Sequence, residues 1–203
     1  MSSPAGDDST TGSAGTGGGD WRGLAVEELK QLDEAVYAAI ADTPTPTLDE
    51  PLRQLSNAAN YSRLWFGVAG GLALVGGKTG RKAAATGLVC IAATSLIVNQ
   101  GLKRLAPRSR PNRGGEDVPE ERRVRMPDST SFPSGHSASA FAFATGVAAF
   151  IPVLSTPLNF LAAGVAYSRV HTGVHYPGDV IIGSLVGASI GRVVSAIAVS
   201  KLD

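Results

Sequence analysis

The chain has 203 residues, of which 43% are hydrophobic and 17% charged, with a net charge of +1. That balance is more apolar than a typical soluble domain of this size, and it lacks the basic excess that a nucleic-acid surface needs. The single cysteine, Cys90, excludes an intramolecular disulfide or a thiolate metal cluster and is expected to be a small buried hydrophobe.

Residues 1–20 are dominated by Ser, Gly, Thr and Asp. Such a composition buries too little surface to offset the entropy of ordering, and a disordered tail is expected. With no basic start and no apolar core, it does not read as a signal peptide. Over residues 21–41, Leu24, Val26, Leu29, Leu32, Ala35, Val36 and Ile40 recur near helical spacing, with Glu27, Glu28, Lys30, Asp33 and Glu34 between them. This is an amphipathic helix, too charged to cross a bilayer, that belongs on the membrane surface or the flank of a bundle. The stretch TPTPTLDEP breaks it, and residues 48–60 can form a further short helix.

From residue 64 the chain changes character. Residues 64–77 are uncharged but short for a span, while 83–102 form an uncharged run that matches the hydrocarbon thickness. Residues 137–168 carry no charge but contain Pro152 and Pro157, which predicts two helices joined by a tight turn, with spans at 137–151 and 158–168. The last span, 180–200, contains one charge, Arg192, placed to snorkel toward the far interface. Gly, Ala and Ser recur throughout, as expected where helices pack closely in a bilayer. The expectation is an all-α integral-membrane helical bundle of about five spans plus an N-terminal amphipathic helix, one domain from residue 21 to 203.

Two polar loops carry the chemistry. Residues 103–133 hold Lys103, Arg104, Arg108, Arg110, Arg113, Arg122, Arg123 and Arg125, and residues 168–179 read SRVHTGVHYPGD. Spans three and four form a hairpin between these loops, so both lie on one side of the membrane. Lys103, Arg110, Ser134, His136, Arg169, His175 and Asp179 thereby meet on one face. Guanidinium forks and an ammonium suit a tetrahedral oxyanion such as a phosphoryl group. Pro133, Ser134 and Gly135 precede a helix, whose first N–H groups can point at the same anion. On that first turn His136 can give a proton to a leaving oxygen. Asp179, four residues after His175, can fix its tautomer and leave the other ring nitrogen free to attack phosphorus. Three histidines also raise a zinc site, but His136 is flanked by cations that repel a divalent ion, so neither metal nor other cofactor is expected.

The motifs K-x6-R-P (Lys103 to Pro111), P-S-G-H (Pro133 to His136) and S-R-x5-H-x3-D (Ser168 to Asp179), complete and in order, resemble the three signatures of the type 2 phosphatidic acid phosphatase superfamily. The resemblance covers about residues 24–200. That superfamily also includes bacterial acid phosphatases and vanadium-dependent haloperoxidases. The resemblance implies a metal-independent helical phosphatase working through a phosphohistidine. His175 would be the nucleophile, His136 the acid for the leaving group and Asp179 the partner of His175. Lys103, Arg110 and Arg169 would bind phosphate with help from Ser134 and the Gly135 amide. Membrane members commonly have six spans, and here the charged helix at 21–41 stands in place of the first.

The expected activity is removal of phosphate from a phospholipid or a polyprenyl mono- or diphosphate, for example undecaprenyl diphosphate. The partners are then the lipid phosphate and the membrane, with no nucleic acid. Vanadate-dependent oxidation and lipid binding without chemistry are the alternatives. Lys78, Arg81 and Lys82, on the side away from the loops, predict a plasma-membrane protein with its site facing outward. Other residues receive plainer readings. His171 is structural. Arg104, Arg108 and Arg113 are solvated charges, with lipid head groups as the alternative. Arg122, Arg123 and Arg125 are neutralised by Glu116, Asp117, Glu120 and Glu121.

Overall fold

The structure, a computed structural model, describes residues 21–113 and 118–202. The tail expected to be disordered, residues 1–20, lies outside the described residues, as do Glu116 and Asp117. Seven α-helices and no strand occur among the described residues. They are α1 (Trp21–Asp42), α2 (Pro46–Ala58), α3 (Arg63–Val75), α4 (Gly77–Leu96), α5 (Gly135–Ala148), α6 (Ser155–His171) and α7 (Pro177–Leu202). The helix α4 runs on through a π-helical turn, Ile97–Leu102, to Leu105. Ala106 then leaves helical backbone ahead of Pro107.

The helices follow from their punctuation. Pro46 begins α2 and Pro177 begins α7, positions where a missing N–H costs nothing. Ser134 caps α5 by accepting from the Ser137 amide at 3.4 Å. Between α5 and α6, Pro152 opens a short 3-10 turn, Pro152–Leu154, so the long uncharged stretch does divide into two helices. Lys78, Arg81 and Lys82, expected between two spans, instead sit inside the first turns of α4, which begins at Gly77.

The helix α5 is the centre of the bundle, packed by α4, α6 and α7. Its contact with α7 depends on small residues at four-residue spacing. A Cβ at Gly183, Gly187 or Gly191 would collide with the backbone of Ser134, Ala138 or Ala142 respectively. Glycine at those places lets the two helices touch backbone to backbone, the mode that packs helices where lipid offers no hydrophobic drive. Its consequence is local to the site: the Ser134 amide donates to the Asp179 carbonyl at 2.9 Å, so the N-termini of α5 and α7 are joined.

The core is built from Trp65, Ala69, Ala83, Ile91, Phe143, Val147 and Val165, with the Trp65 and Phe143 rings 5.2 Å apart. Outside it, Phe66, Leu74, Leu96, Phe160, Ile181, Leu185, Val193 and Ile197 are exposed. This outward apolar coat suits hydrocarbon rather than water. Two helices, Gly77–Leu105 and Pro177–Lys201, are long and apolar enough to cross a membrane. At about 1.5 Å per residue, α3 and α5 span roughly 20 Å, short of the hydrocarbon thickness.

Candidate active site

The chain brings most of the expected residues to one cavity of about 220 Å³, lined by Lys103, Arg110, Gly135, His136 and His175. The other three expected residues, Ser134, Arg169 and Asp179, are fully buried behind its wall. Each is placed by a local device. The π-helical turn precedes Lys103 and re-aims the end of α4, a role such turns often have beside functional sites. Gly173, at φ +70°, caps α6 in the left-handed region. The chain then doubles back, and the Val174 and His175 amides both donate to the Arg169 carbonyl, at 3.1 and 3.2 Å.

The polar contacts of His175 assign its tautomer. Arg110 Nη1 lies 3.2 Å from His175 Nε2, and a guanidinium only donates, so Nε2 presents its lone pair. The proton is then on Nδ1, 3.4 Å from Asp179 Oδ2. Asp179 is held in turn: Oδ2 accepts from the Ser131 hydroxyl and from the Tyr176 amide at 3.0 Å, and Oδ1 accepts from Arg108 at 3.1 Å.

Arg110 is itself fixed by the carbonyls of Ser129 and Val174, at 2.8 and 2.7 Å. Lys103 Nζ donates to the Ser129 hydroxyl at 2.9 Å. His136 Nε2 stands 3.1 Å from Asn60 Oδ1, and because an amide oxygen only accepts, the proton of His136 is on Nε2. The two imidazoles of the cavity therefore differ, one offering a lone pair and the other a proton. Asn60 precedes Tyr61 and Ser62, consecutive non-glycine residues at φ 54° and 59° that also line the cavity. Left-handed backbone at such residues costs about 1–2 kcal/mol each, so this turn is a strained feature concentrated at the site.

Arg169 is the most enclosed cation. Its Nη1 donates to the Ser56 hydroxyl at 2.6 Å, while Nε and Nη2 have no hydrogen-bond partner among the described residues. Ser134 turns its hydroxyl toward Ser137, at 3.0 Å, rather than into the cavity.

Burial, reinforced by the charges of Arg110 and Arg169, pushes the His175 imidazole down to about 4 despite its hydrogen bond to Asp179. The neutral ring is thus the folded form across the physiological range. The folded protein resists a proton that the unfolded chain accepts near 6.5. Stability from this group is present above about pH 6.5 and is lost as pH falls toward 4. The acid limb of kcat/KM, which reports the free enzyme, should lie below about pH 5. A limb centred near 6.5 in a pH–rate series would show a solvated ring instead.

Several of the plainer readings are corrected. Arg108 is no solvated charge but bridges Asp33 and Asp179, at 2.6 and 3.1 Å. Arg113 donates to the carbonyls of Val124 and Thr172. Arg122 is not neutralised by its acidic loop neighbours. It is buried against Asp49 at 2.8 Å and donates to the carbonyls of Ile40, Ala41 and Thr43. His171 joins the same cluster, 3.0 Å from Asp49. Sequence reasoning missed Asn60, Ser129, Ser131 and Ser56 altogether. Each is a common polar residue in a loop or short helix, and nothing in its spacing marks it.

Comparison with known proteins decides the family. The model of the PAP2 superfamily matches residues 84–202. The chain belongs to the PAP2 superfamily. A decaprenylphosphoryl-5-phosphoribose phosphatase of Mycobacterium tuberculosis is 32% identical over 167 residues, covering 80% of this chain and 86% of that protein. A shorter match, 41% over 76 residues, covers 31% of this chain and 33% of a dolichyldiphosphatase 1 of Dictyostelium discoideum. In fold, the chain is similar to the crystal structure of a transmembrane PAP2-type phosphatidylglycerolphosphate phosphatase from Bacillus subtilis. That likeness has a TM-score of 0.66 at 23% identity and covers 87% of this chain and 89% of that one. The all-α integral-membrane bundle expected from the sequence is therefore the fold of this PAP2 protein.

Proposed function

We propose that this chain is a membrane lipid phosphatase that cleaves the terminal phosphate of a polyprenyl-linked phosphate through a covalent intermediate on His175. The observation that carries the reaction is the pair of opposed imidazoles, with the lone pair of His175 Nε2 and the Nε2 proton of His136 lining one cavity. A relative covering 80% of the chain is named as a phosphatase of decaprenylphosphoryl-5-phosphoribose, a polyprenyl-linked phosphate, and supports that substrate class.

In the first step Arg110 Nη1 turns from His175 Nε2 to the phosphoryl oxygens, and the freed lone pair attacks phosphorus. The P–O bond to the leaving group breaks, and the departing oxygen takes the Nε2 proton of His136, which acts as the imidazolium in the substrate complex and is left as neutral imidazole. Asp179 stabilises the charge that forms on the His175 ring. Water then attacks the phosphohistidine, His136 accepts its proton, the N–P bond breaks and inorganic phosphate leaves. Lys103 and Arg110 face the cavity and neutralise the phosphoryl oxygens through charge-assisted bonds. Arg169 supplies positive charge from behind the wall, and the Gly135 amide, at the start of α5, supplies the helix N-terminus. Ser134 joins α5 to α7 rather than touching the phosphate.

The site opens at the outer face of the plasma membrane in this proposal. Lys78 and Lys103 lie about 38 Å apart along α4 at 1.5 Å per residue, so the Lys78, Arg81 and Lys82 cluster marks the opposite, cytoplasmic side.

The test is phosphate release from decaprenylphosphoryl-5-phosphoribose, undecaprenyl diphosphate, phosphatidic acid and phosphatidylglycerophosphate, in detergent with chelator. Release from a polyprenyl substrate, unchanged by chelator, is expected. Release from the glycerophospholipids alone would move the substrate class. Silence across the panel from folded protein would sink the proposal, and a metal requirement would sink its mechanism.

A further inference from the structure

The helix α1 has no place in the three motifs, yet it reaches the active site. It flanks the bundle through its C-terminal half, where Tyr37 and Ala41 are buried with Val118, Val170 and Val180. The Tyr37 ring meets Tyr176 edge-on at 5.4 Å. Trp21, Leu24, Leu29, Leu32 and Val36 stay exposed. On the docked face Asp33 makes two contacts, both at 2.6 Å: Oδ2 with Arg108 Nη1 and Oδ1 with the Gly178 amide. Its partners are 75 and 145 residues away in sequence.

Both contacts bear on Asp179. The Gly178 amide belongs to the first turn of α7, the turn that carries Asp179, where N–H groups have no acceptor within the helix, and a carboxylate there also meets the positive end of the helix dipole. A Cβ at Gly178 would come within 2.9 Å of Asp33 Oδ2, so glycine is what lets the carboxylate reach the backbone. The same Arg108 Nη1 that meets Asp33 also meets Asp179 Oδ1 at 3.1 Å, with the guanidinium 4.1 Å from the centre of the Tyr176 ring. Without Asp33, the full charge of Arg108 would fall on Asp179. That would weaken the carboxylate as the acceptor that orients His175.

We propose that Asp33 is a positioning residue of the phosphatase reaction: it shares Arg108 with Asp179 and pins the first turn of α7, so that the docked state of α1 sets the alignment of His175. The inference rests on the roles proposed above for His175 and Asp179.

The experiment measures kcat and KM for decaprenylphosphoryl-5-phosphoribose in detergent-purified full-length protein. The variants are Asp33→Asn, Asp33→Glu, Arg108→Gln, the Asp33→Asn/Arg108→Gln double and His175→Ala, each compared per folded protein. Asparagine keeps the acceptor for Gly178 and loses the charge for Arg108. We expect kcat to fall by some tens of fold in Asp33→Asn with KM within about twofold, since misalignment of a reacting group costs rates of that order. Asp33→Glu should recover part of the loss, and the double variant should be no slower than Asp33→Asn, because both act through one link. Wild-type kcat in Asp33→Asn, or losses in the two single variants that multiply in the double, would overturn the inference even with His175→Ala inactive. Activity retained in His175→Ala would instead overturn the mechanism on which it rests.

Discussion

Alanine at position 175 should lower phosphate release by about four orders of magnitude or more while KM changes by no more than a few-fold, because the proposed mechanism then loses covalent catalysis and keeps anion binding. The structure explains why the defect should be so confined. Asp179 keeps the Ser131 hydroxyl, the Tyr176 amide and Arg108 when the imidazole is gone, so no buried carboxylate is left bare. Arg110 keeps the carbonyls of Ser129 and Val174, so the cation that faces the cavity stays in place. His175→Gln serves as the second variant, since it leaves less empty volume than alanine and still provides no ring nitrogen. Rapid alkaline quenching of labelled substrate should trap a phosphoenzyme with wild type and none with either variant. A trapped phosphoenzyme in His175→Ala, or turnover near wild type, would place the nucleophile elsewhere.

The second large effect is on stability. Arg122→Met should destabilise the protein by about 3–5 kcal/mol, the range seen when one partner of a buried ion pair is removed. Arg122 is only 1% exposed, and its side chain joins three pieces of chain: Asp49 on α2, the carbonyls of Ile40 and Ala41 at the end of α1, and Thr43 in the turn between them. Methionine of similar length leaves those carbonyls without donors and leaves Asp49 with Thr45 and His171. The Asp49 carboxyl is raised by burial but lowered further by the Thr45 hydroxyl and by Arg122 and His171. It therefore sits below its usual range as a charged group that needs its partner. Thermal unfolding in detergent should show a midpoint lower by roughly 6 °C or more. A shift under about 2 °C would mean that the cluster contributes little and that α1 is held by Tyr37, Ala41 and the contacts of Asp33.

Much of the site was legible because its residues are tied to punctuation that the chain shows openly. Pro107 ends the extension of α4 just past Lys103, and shortly after His175 come Pro177, which starts α7, and Gly178, which admits the carboxylate of Asp33. The hairpin of α5 and α6 brings both polar loops, and with them His136 and His175, to one end of the bundle. Where the expectation went wrong, charge was judged by sequence neighbours. Arg122 lies among Glu120 and Glu121, yet its partner is Asp49, 73 residues away. Arg108 reads as a solvated cation among its neighbours, yet Asp33 and Asp179 hold it from 75 and 71 residues away. Ion pairs in a folded chain follow proximity in space, and for a loop that packs under α1 the local sequence carries no signal of it.

By itself the sequence determined what depends on local composition and on motif order: an apolar helical chain, a hairpin that gathers two polar loops, and a complete set of groups suited to a phosphoryl oxyanion. Tertiary structure alone decided which of those groups face the cavity and which stand behind it. It turned Ser134 inward to cap α5, enclosed Arg169 against Ser56, and oriented the rings of His136 and His175 through Asn60 and Arg110. The physical reason is that a side chain's tautomer, orientation and charge are set by whichever donors and acceptors the packing brings within about 3 Å, and those partners come from helices far apart in the chain.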